Sequence, residues 1–312
     1  PVSQKCLIRA QIPVSMHHEG EGQMLTTDRR TVLAGLAAAP VMQGSRIKNR
    51  PINIFEAKKI VTMERSLPSA RYMAVDNGRV LALANSVEEL SAWTQGRLPV
   101  VRKDFADKIL FPGLVEPHLH PMQASVMLNV PFLAPDDWEL PTGSWPGVTG
   151  QDAYRSRLAQ IIPQTAGIPV VVWGHHELFH GPMDRTVLDQ IESRRPVFVW
   201  QRSFHDIYAN TRALEWMALN DKTAFFEAVK AGGAKEEHAD FERGIFSETA
   251  LQVAIAKLQP TLLAPAKLEI GFGHLQSMMQ QRGVTTAADM ATGIFARFNT
   301  EAALIARAFG HS

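Results

Sequence analysis

The stretch Pro112-Gly113-Leu114-Val115-Glu116-Pro117-His118-Leu119-His120-Pro121 limits what this chain can become more than any other. An apolar run, Ile109-Leu110-Phe111, leads into a Pro-Gly break, a short Leu-Val segment and two histidines one residue apart. The flanking prolines confine the segment to extended or turn geometry and argue against a helix. In a strand, side chains at i and i+2 share a face, so His118 and His120 are expected to project together. Two imidazoles aimed at one point suit zinc, iron, nickel and similar cations. A bare His-x-His also occurs as solvated or packed side chains, so the surroundings have to decide.

Composition narrows the classes. The chain has 312 residues, 46% hydrophobic and 20% charged, with a net charge of +1. That is enough for one large domain or two smaller ones. Near-neutral charge gives no electrostatic case for nucleic acid, and there is no Lys/Arg run with interleaved aromatics. Cys6 is the only cysteine, which excludes an intrachain disulfide framework and a thiolate metal cluster.

The first residues read differently from the rest. Residues 1–23 lack periodicity, and Met24 is read as the biological start with an upstream segment before it. Arg29-Arg30, an apolar stretch from Val32 to Ala39 and small residues then follow. Residues 24–48 are therefore expected to be a twin-arginine export signal, which places the protein in the periplasm. A short amphipathic helix of a mature, cytoplasmic protein is the alternative. The apolar part falls short of the ~20 residues that span a membrane, so no stable membrane insertion is expected.

Residues 49–111 read as β structure. Tyr72–Val75 and Val80–Leu83, separated by Asp76-Asn77-Gly78-Arg79, carry a hairpin signal. A short helix is expected after Ser86. From Gly113 onward, strand-like and helix-like segments alternate, as in parallel α/β structure. Strands are expected at Val170–Trp173, Pro196–Trp200 and Val284–Ala288, and Gly244–Glu248 is expected to pass from strand to helix. Residues 121–150 are expected to form a long loop rich in Pro, Gly, Asp and Trp, of a length that is usually functional after a barrel strand. Helices are expected after Asp152, over Thr186–Glu192, Thr211–Leu219 and Pro265–Arg282, and from Thr292 to the end. Only four or five barrel strands are counted. The chain is accordingly read as truncated, the alternative being a complete small protein with an open half-barrel.

Further elements follow in order. They are Trp173-Gly174-His175-His176 with Gly181-Pro182 and Leu188-Asp189; Arg202-Ser203-Phe204-His205 with Asn210-Thr211-Arg212-Ala213-Leu214; Gly244-Ile245-Phe246-Ser247-Glu248; and Gly283-Val284-Thr285-Thr286-Ala287-Ala288-Asp289. Together with the His-x-His string, they resemble the amidohydrolase superfamily, in particular amidohydrolase family 3, the YtcJ-like branch. The resemblance implies an α/β fold: a partial (β/α)8 TIM-type barrel over 112–312, preceded by half of a small β-sandwich over 49–111.

The same resemblance implies a hydrolase of carbon–nitrogen bonds other than peptide bonds, in an amide, N-formyl group or cyclic imide. The reaction would use water activated by a divalent metal, zinc by preference, with one or two ions in a complete enzyme. His118 and His120 would be metal ligands. His205, just past a strand end, would line the pocket or polarise a carbonyl, or else be a hydrogen-bonded structural histidine. Glu248 would bridge metals or orient a ligand histidine, or else simply start a helix. Asp289 is divided in the same way. Trp173, His175, His176 and Asn210 are read as pocket residues, with only one of the two histidines facing the mouth and Asn210 better suited to pinning a turn. His180, His238, His274 and His311 carry no supporting context. The family's lysine, two further histidines and proton-shuttling aspartate have no counterparts here, so the chain alone is expected to lack activity. A small-molecule substrate, no nucleic acid and a homodimer complete the expected partners. The competing class is a non-catalytic exported metal- or ligand-binding protein.

Overall fold

The computed structural model describes residues 51–310, Gln95 excepted. Cys6, the upstream segment 1–23, the export-signal reading of 24–48 and His311 lie outside the described residues. The chain divides into two compact units, with the boundary between Val115 and Glu116.

The first unit is a four-stranded sheet built from Ile52–Val61 (β1), Ser69–Asp76 (β2), Arg79–Ala84 (β3) and Pro99–Leu110 (β4). The strand order is β3-β2-β1-β4. The hairpin read from the sequence forms, closing on the Asp76–Arg79 pair. Asn77 and Gly78 occupy it with φ of 50° and 74°, the positive angles of a tight hairpin turn. Ile52 and Ile54 pack with Ala74, Ala84 and Leu90. A register irregularity between Glu56 and Ile60 then hands the inward phase to Ala57 and Ile60, which pack with Ala70. The helical segment expected after Ser86 forms as short turns, Glu88–Leu90 and Ser91–Thr94.

The second unit holds a five-stranded sheet. Its strands are Val170–His175 (β8), Val197–Gln201 (β9), Asp206–Ala209 (β10), Ala239–Asp240 (β11) and Ile245–Ser247 (β12), in the order β11-β12-β10-β9-β8. Leu114–Leu119 (β5) pairs with Val284–Asp289 (β13), and Trp138–Leu140 (β6) forms a hairpin with Gly143–Trp145 (β7). Two expectations are corrected here. The sheet is mixed: β8 and β9 are parallel, whereas β10, β12 and β11 run antiparallel to their neighbours. Residues 202–205 join β9 to β10, too few for the crossover that a parallel pair requires. Among the described residues no sheet closes into a barrel. The stretch 121–150 is not all loop either, since it carries the helix Pro121–Met127 (α1) and the β6–β7 hairpin.

Helices cover both faces of this sheet. They are Gln151–Gln164 (α2), Arg185–Ile191 (α3), Thr211–Trp216 (α4), Lys222–Ala231 (α5), Leu251–Leu262 (α6), Pro265–Gln281 (α7) and Phe298–Phe309 (α8). Alternation along each strand sorts the core. Val170, Val172, Val197 and Val199 pack with Tyr154, Leu158 and Ile162 of α2 and Leu188 of α3. Val171, Trp173, Phe198, Trp200 and Phe246 join Met122 and Val126 of α1, Ile255 and Leu258 of α6 and Phe272 of α7 on the other face. Gly150, not Asp152, sits at the N-cap of α2, with Asp152 in the first turn where the helix dipole favours a carboxylate.

Helix α7 crosses α1 at Gly271, where an added Cβ would lie 2.0 Å from the Ser125 carbonyl oxygen. The Asn129 side chain fastens the same contact, donating to the carbonyls of Ser125 and Lys267 at 2.7 and 2.8 Å. The last helix starts at Phe298 rather than Thr292. The intervening loop is held by Glu301, fully buried, whose carboxylate accepts from the backbone N–H groups of Gly293, Phe295 and Ala296 at 2.6, 2.5 and 2.6 Å. No helix among the described residues is long and apolar enough to cross a membrane.

Candidate functional site

Strand directions gather the candidate residues at one end of the five-stranded sheet. His175 pairs with Gln201 across β8 and β9, and Asp206 pairs with Ser247 across β10 and β12. The carboxyl ends of β8, β9 and β12 therefore share an edge with the start of β10, and His205 and Glu248 flank the Asp206–Ser247 pair. The backbone N–H of Arg202 donates to the His175 carbonyl at 2.7 Å and closes the same edge.

His205 and Glu248 come together. Nδ1 of His205 lies 3.1 Å from Oε1 of Glu248, and the Glu248 backbone N–H donates to the His205 carbonyl at 2.9 Å. Both side chains remain more than half exposed, at 62% and 54%, so an ion pair there adds little to stability. The backbone is nonetheless strained on both sides of it: Phe204 has φ of 67° and Glu248 φ of 44°, in the left-handed region that non-glycine residues avoid. Glu248 also opens a helical turn, Glu248–Ala250, as its helix-starting reading expects.

His118 and His120 end β5 as a facing pair, with their Nε2 atoms 3.3 Å apart. Two imidazoles bound to one tetrahedral zinc at ~2.0–2.1 Å place their nitrogens about 3.3 Å apart, so the pair fits one edge of such a site. The carboxylate of Glu116 accepts the His118 backbone N–H at 3.0 Å and steadies the strand end. The Met290 backbone N–H donates to the Leu119 carbonyl at 3.0 Å, which sets the carboxyl ends of β5 and β13 side by side. Asp289 lies there, but its carboxylate is engaged locally, accepting from the Ala291 N–H at 3.0 Å and from the Thr292 hydroxyl. Among the described residues no three of His, Cys, Asp or Glu are grouped closely enough to hold a metal. The candidates thus fall into two pairs, His118–His120 and His205–Glu248.

The pocket candidates separate. His175 is fully buried among Tyr154, His180 and Tyr208, with Nε2 3.1 Å from the Gly181 carbonyl oxygen. Burial pushes its pKa down to about 4, helped by neighbouring His180 and opposed by the Gly181 carbonyl. His180, which has no supporting context in the sequence, is buried and held in one neutral tautomer. Its Nδ1 accepts the His176 backbone N–H at 3.0 Å while Nε2 faces the Val148 carbonyl at 2.8 Å, and burial lowers its pKa. Burial likewise raises the hydroxyls of Tyr154 and Tyr208, the latter to about 12. His176 caps the helical turn Glu177–His180, accepting from the Leu178 N–H. Asn210 is fully buried. Its carbonyl oxygen accepts from the N–H groups of Val197 and Ala213, and its amide donates to the carbonyls of Glu192 and Arg195. These four bonds fill its capacity, so Asn210 is a rivet between β9 and the start of α4 and lines no pocket.

Trp173, near the carboxyl end of β8, lies inside an aromatic cluster that no sequence pattern disclosed. Phe132 lies 4.8 Å from it between ring centres, Phe204 5.5 Å, and Trp138 of the β6–β7 hairpin 5.6 Å. The only sequence signal was the density of aromatic residues in 121–150.

The architecture is thus a mixed α/β unit with histidine- and carboxylate-bearing strand ends. No protein-family model matches the chain, and no curated protein matches it. Among solved structures it resembles an uncharacterized metal-dependent hydrolase from Pyrococcus horikoshii OT3, with a TM-score of 0.52 at 18% identity over 77% of this chain and 43% of that one. A second, from Pyrococcus furiosus, aligns at a TM-score of 0.46 and 19% identity over 77% of this chain and 44% of that one. The chain spans less than half the length of these structures. The similarity to the first, at this level of identity, shows a shared fold alone.

Proposed function

We propose that the protein is a metal-dependent hydrolase of the amidohydrolase type, built on a (β/α)8 barrel and acting on a carbon–nitrogen bond in an amide, N-formyl group or cyclic imide. The observation that carries the reading is the 3.3 Å separation of the His118 and His120 Nε2 atoms at a strand end. The sequence elements from Pro112 to Asp289 and the fold shared with a metal-dependent hydrolase support it. A divalent cation bound there, zinc by preference, supplies Lewis-acid polarisation of a carbonyl and acidifies water.

The protein's own groups divide the remaining work. His118 and His120 hold the cation, and Glu116 fixes the strand that carries them. Glu248 accepts from Nδ1–H of His205, which leaves the lone pair on His205 Nε2 to take or return a proton. Arg29-Arg30 and the apolar stretch after it support export to the periplasm, which N-terminal sequencing of protein recovered from that compartment checks.

The test is calorimetric titration of the purified chain with zinc, then nickel and manganese. One cation per chain is expected, with affinity falling about a hundredfold or more in His118→Ala and in His120→Ala, at least what the loss of outer-shell partners costs such sites. Unchanged titrations in both variants would remove the site. Turnover of a panel of N-acyl, N-formyl and cyclic imide compounds, abolished by a chelator, is the catalytic readout in a form of the protein that also carries the family's lysine, further histidines and aspartate, the chain alone being expected to bind metal without turnover. Metal uptake without turnover in that form would leave metal binding alone.

A further inference from the structure

The β6–β7 hairpin brings Trp138 opposite Trp145 and seats Trp138 edge-on against Trp173, the rings meeting at 87°. Phe132 bridges both, 5.4 Å from Trp138 and 4.8 Å from Trp173. Phe204 stacks on Trp173 at 5.5 Å and reaches Trp200, at the carboxyl end of β9, at 5.7 Å. The indole nitrogens of Trp138, Trp173 and Trp200 are all buried and have no acceptor among the described residues. The indole of Trp145, by contrast, faces the Thr142 hydroxyl at 3.4 Å.

An indole nitrogen is a donor only, and buried indoles ordinarily find an acceptor. A core that needed only apolar volume is served by Phe or Leu without that cost. Three such donors within one aromatic cluster leave it able to take an oxygen acceptor from a bound ligand. The edge-on contact lets one N–H rest on a neighbouring π face, a weaker arrangement that an oxygen displaces. The strap leading into the hairpin is tied to the end of β9 by the ion pair of Arg202 with Asp136, whose side chains are 35% and 55% exposed. Such a pair is a weak tie, and the hairpin is otherwise held by the packing of Trp138, Leu140 and Trp145 against the core, the contact a ligand ring would have to part.

We propose that this cluster is the specificity site, taking a planar aromatic ring that carries an oxygen acceptor and folding the hairpin over it. The ring takes the place of the Trp138–Trp173 contact, and its carbonyl or carboxylate oxygen receives the indole N–H groups. That this ligand is the substrate rests on the hydrolase reading; that it binds does not.

The test follows intrinsic fluorescence of the full chain, without added metal, during titration with N-benzoylglycine, N-acetylglycine and N-(cyclohexylcarbonyl)glycine. Saturable quenching by the benzoyl compound is expected, with both non-aromatic compounds at least about tenfold weaker. Trp138→Phe keeps the ring and removes the donor, and should weaken binding by about tenfold. Trp93→Phe, in the other unit and 53% exposed, should not change it. Trp173→Phe serves if circular dichroism shows Trp138→Phe to be unfolded. No saturation, equal binding of the acetyl compound, or unchanged affinity in the folded donor variants would overturn the proposal. Benzoylglycine binding without zinc uptake removes the hydrolase reading and leaves this one. Zinc uptake without benzoylglycine binding does the reverse.

Discussion

His175 makes the protein acid-sensitive through one buried ring. Its folded pKa of about 4 lies below the ordinary histidine value of 6.5, so between those limits the unfolded chain binds a proton that the native chain refuses. Stability is full above about pH 6.5 and is lost as pH falls toward 4, by about 1.4 kcal/mol per pH unit and about 3 kcal/mol in all. The groups around the ring, His180, His176, Tyr154 and Tyr208, supply no negative charge in this range to offset the loss. Urea unfolding at pH 7.5, 6 and 5 checks the slope, and His175→Phe should reduce it, leaving the part that buried His180 contributes with the same sign. At this scale the sequence was informative where chemistry follows spacing: His118 and His120 face one point because alternation along a strand requires it. The meeting of His205 with Glu248 was not legible, because it depends on the turn between β9 and β10 lying beside the end of β12. Nothing local marked His180 or Tyr154, whose roles come from burial between elements far apart in the chain. Asn210 was readable as a turn residue from its place before Thr211, but the four bonds that bar it from a pocket depend on where β9 and Glu192 lie.

Contact between helices is sharpest where α7 crosses α1. Alanine normally improves a helix over glycine by about 1 kcal/mol. At Gly271 the added Cβ would meet the Ser125 carbonyl oxygen at 2.0 Å and the Asn129 amide at 2.7 Å, so Gly271→Ala should destabilise by about 1–3 kcal/mol. Gly273, in the same helix with nothing within 4 Å, is its control, and Gly273→Ala should stabilise by about 0.5–1 kcal/mol. Urea midpoints of the two variants should therefore move in opposite directions. Helix α7 was legible from its apolar spacing at Leu268, Phe272 and Leu275, and β8 from its unbroken apolar run. Strand β10 was not. Ile207-Tyr208-Ala209 is too short for periodicity, and its antiparallel direction is fixed by the brief 202–205 connection. The β6–β7 hairpin escaped for the same reason.

The whole molecule should respond to metal through mass action. Zinc held by His118 and His120 in the native state alone stabilises by about 2.7 kcal/mol at a hundred times its dissociation constant. The melting temperature should rise with zinc in the wild type and stay fixed in the His118→Ala/His120→Ala double variant, read by calorimetric scans with and without the ion. Glu301 bears on how proteins with this architecture drift apart. It grips the turn after β13 by main-chain amides, which every residue except proline offers. Proline is thus barred from positions 293, 295 and 296, the φ of 108° at Gly293 favours glycine, and Phe295 is buried in the core against Trp200, while the carboxylate at 301 holds the path of the chain. Two descendants of one ancestor can trace that loop alike and share few of its letters beyond the glycine, the buried apolar residue and the carboxylate.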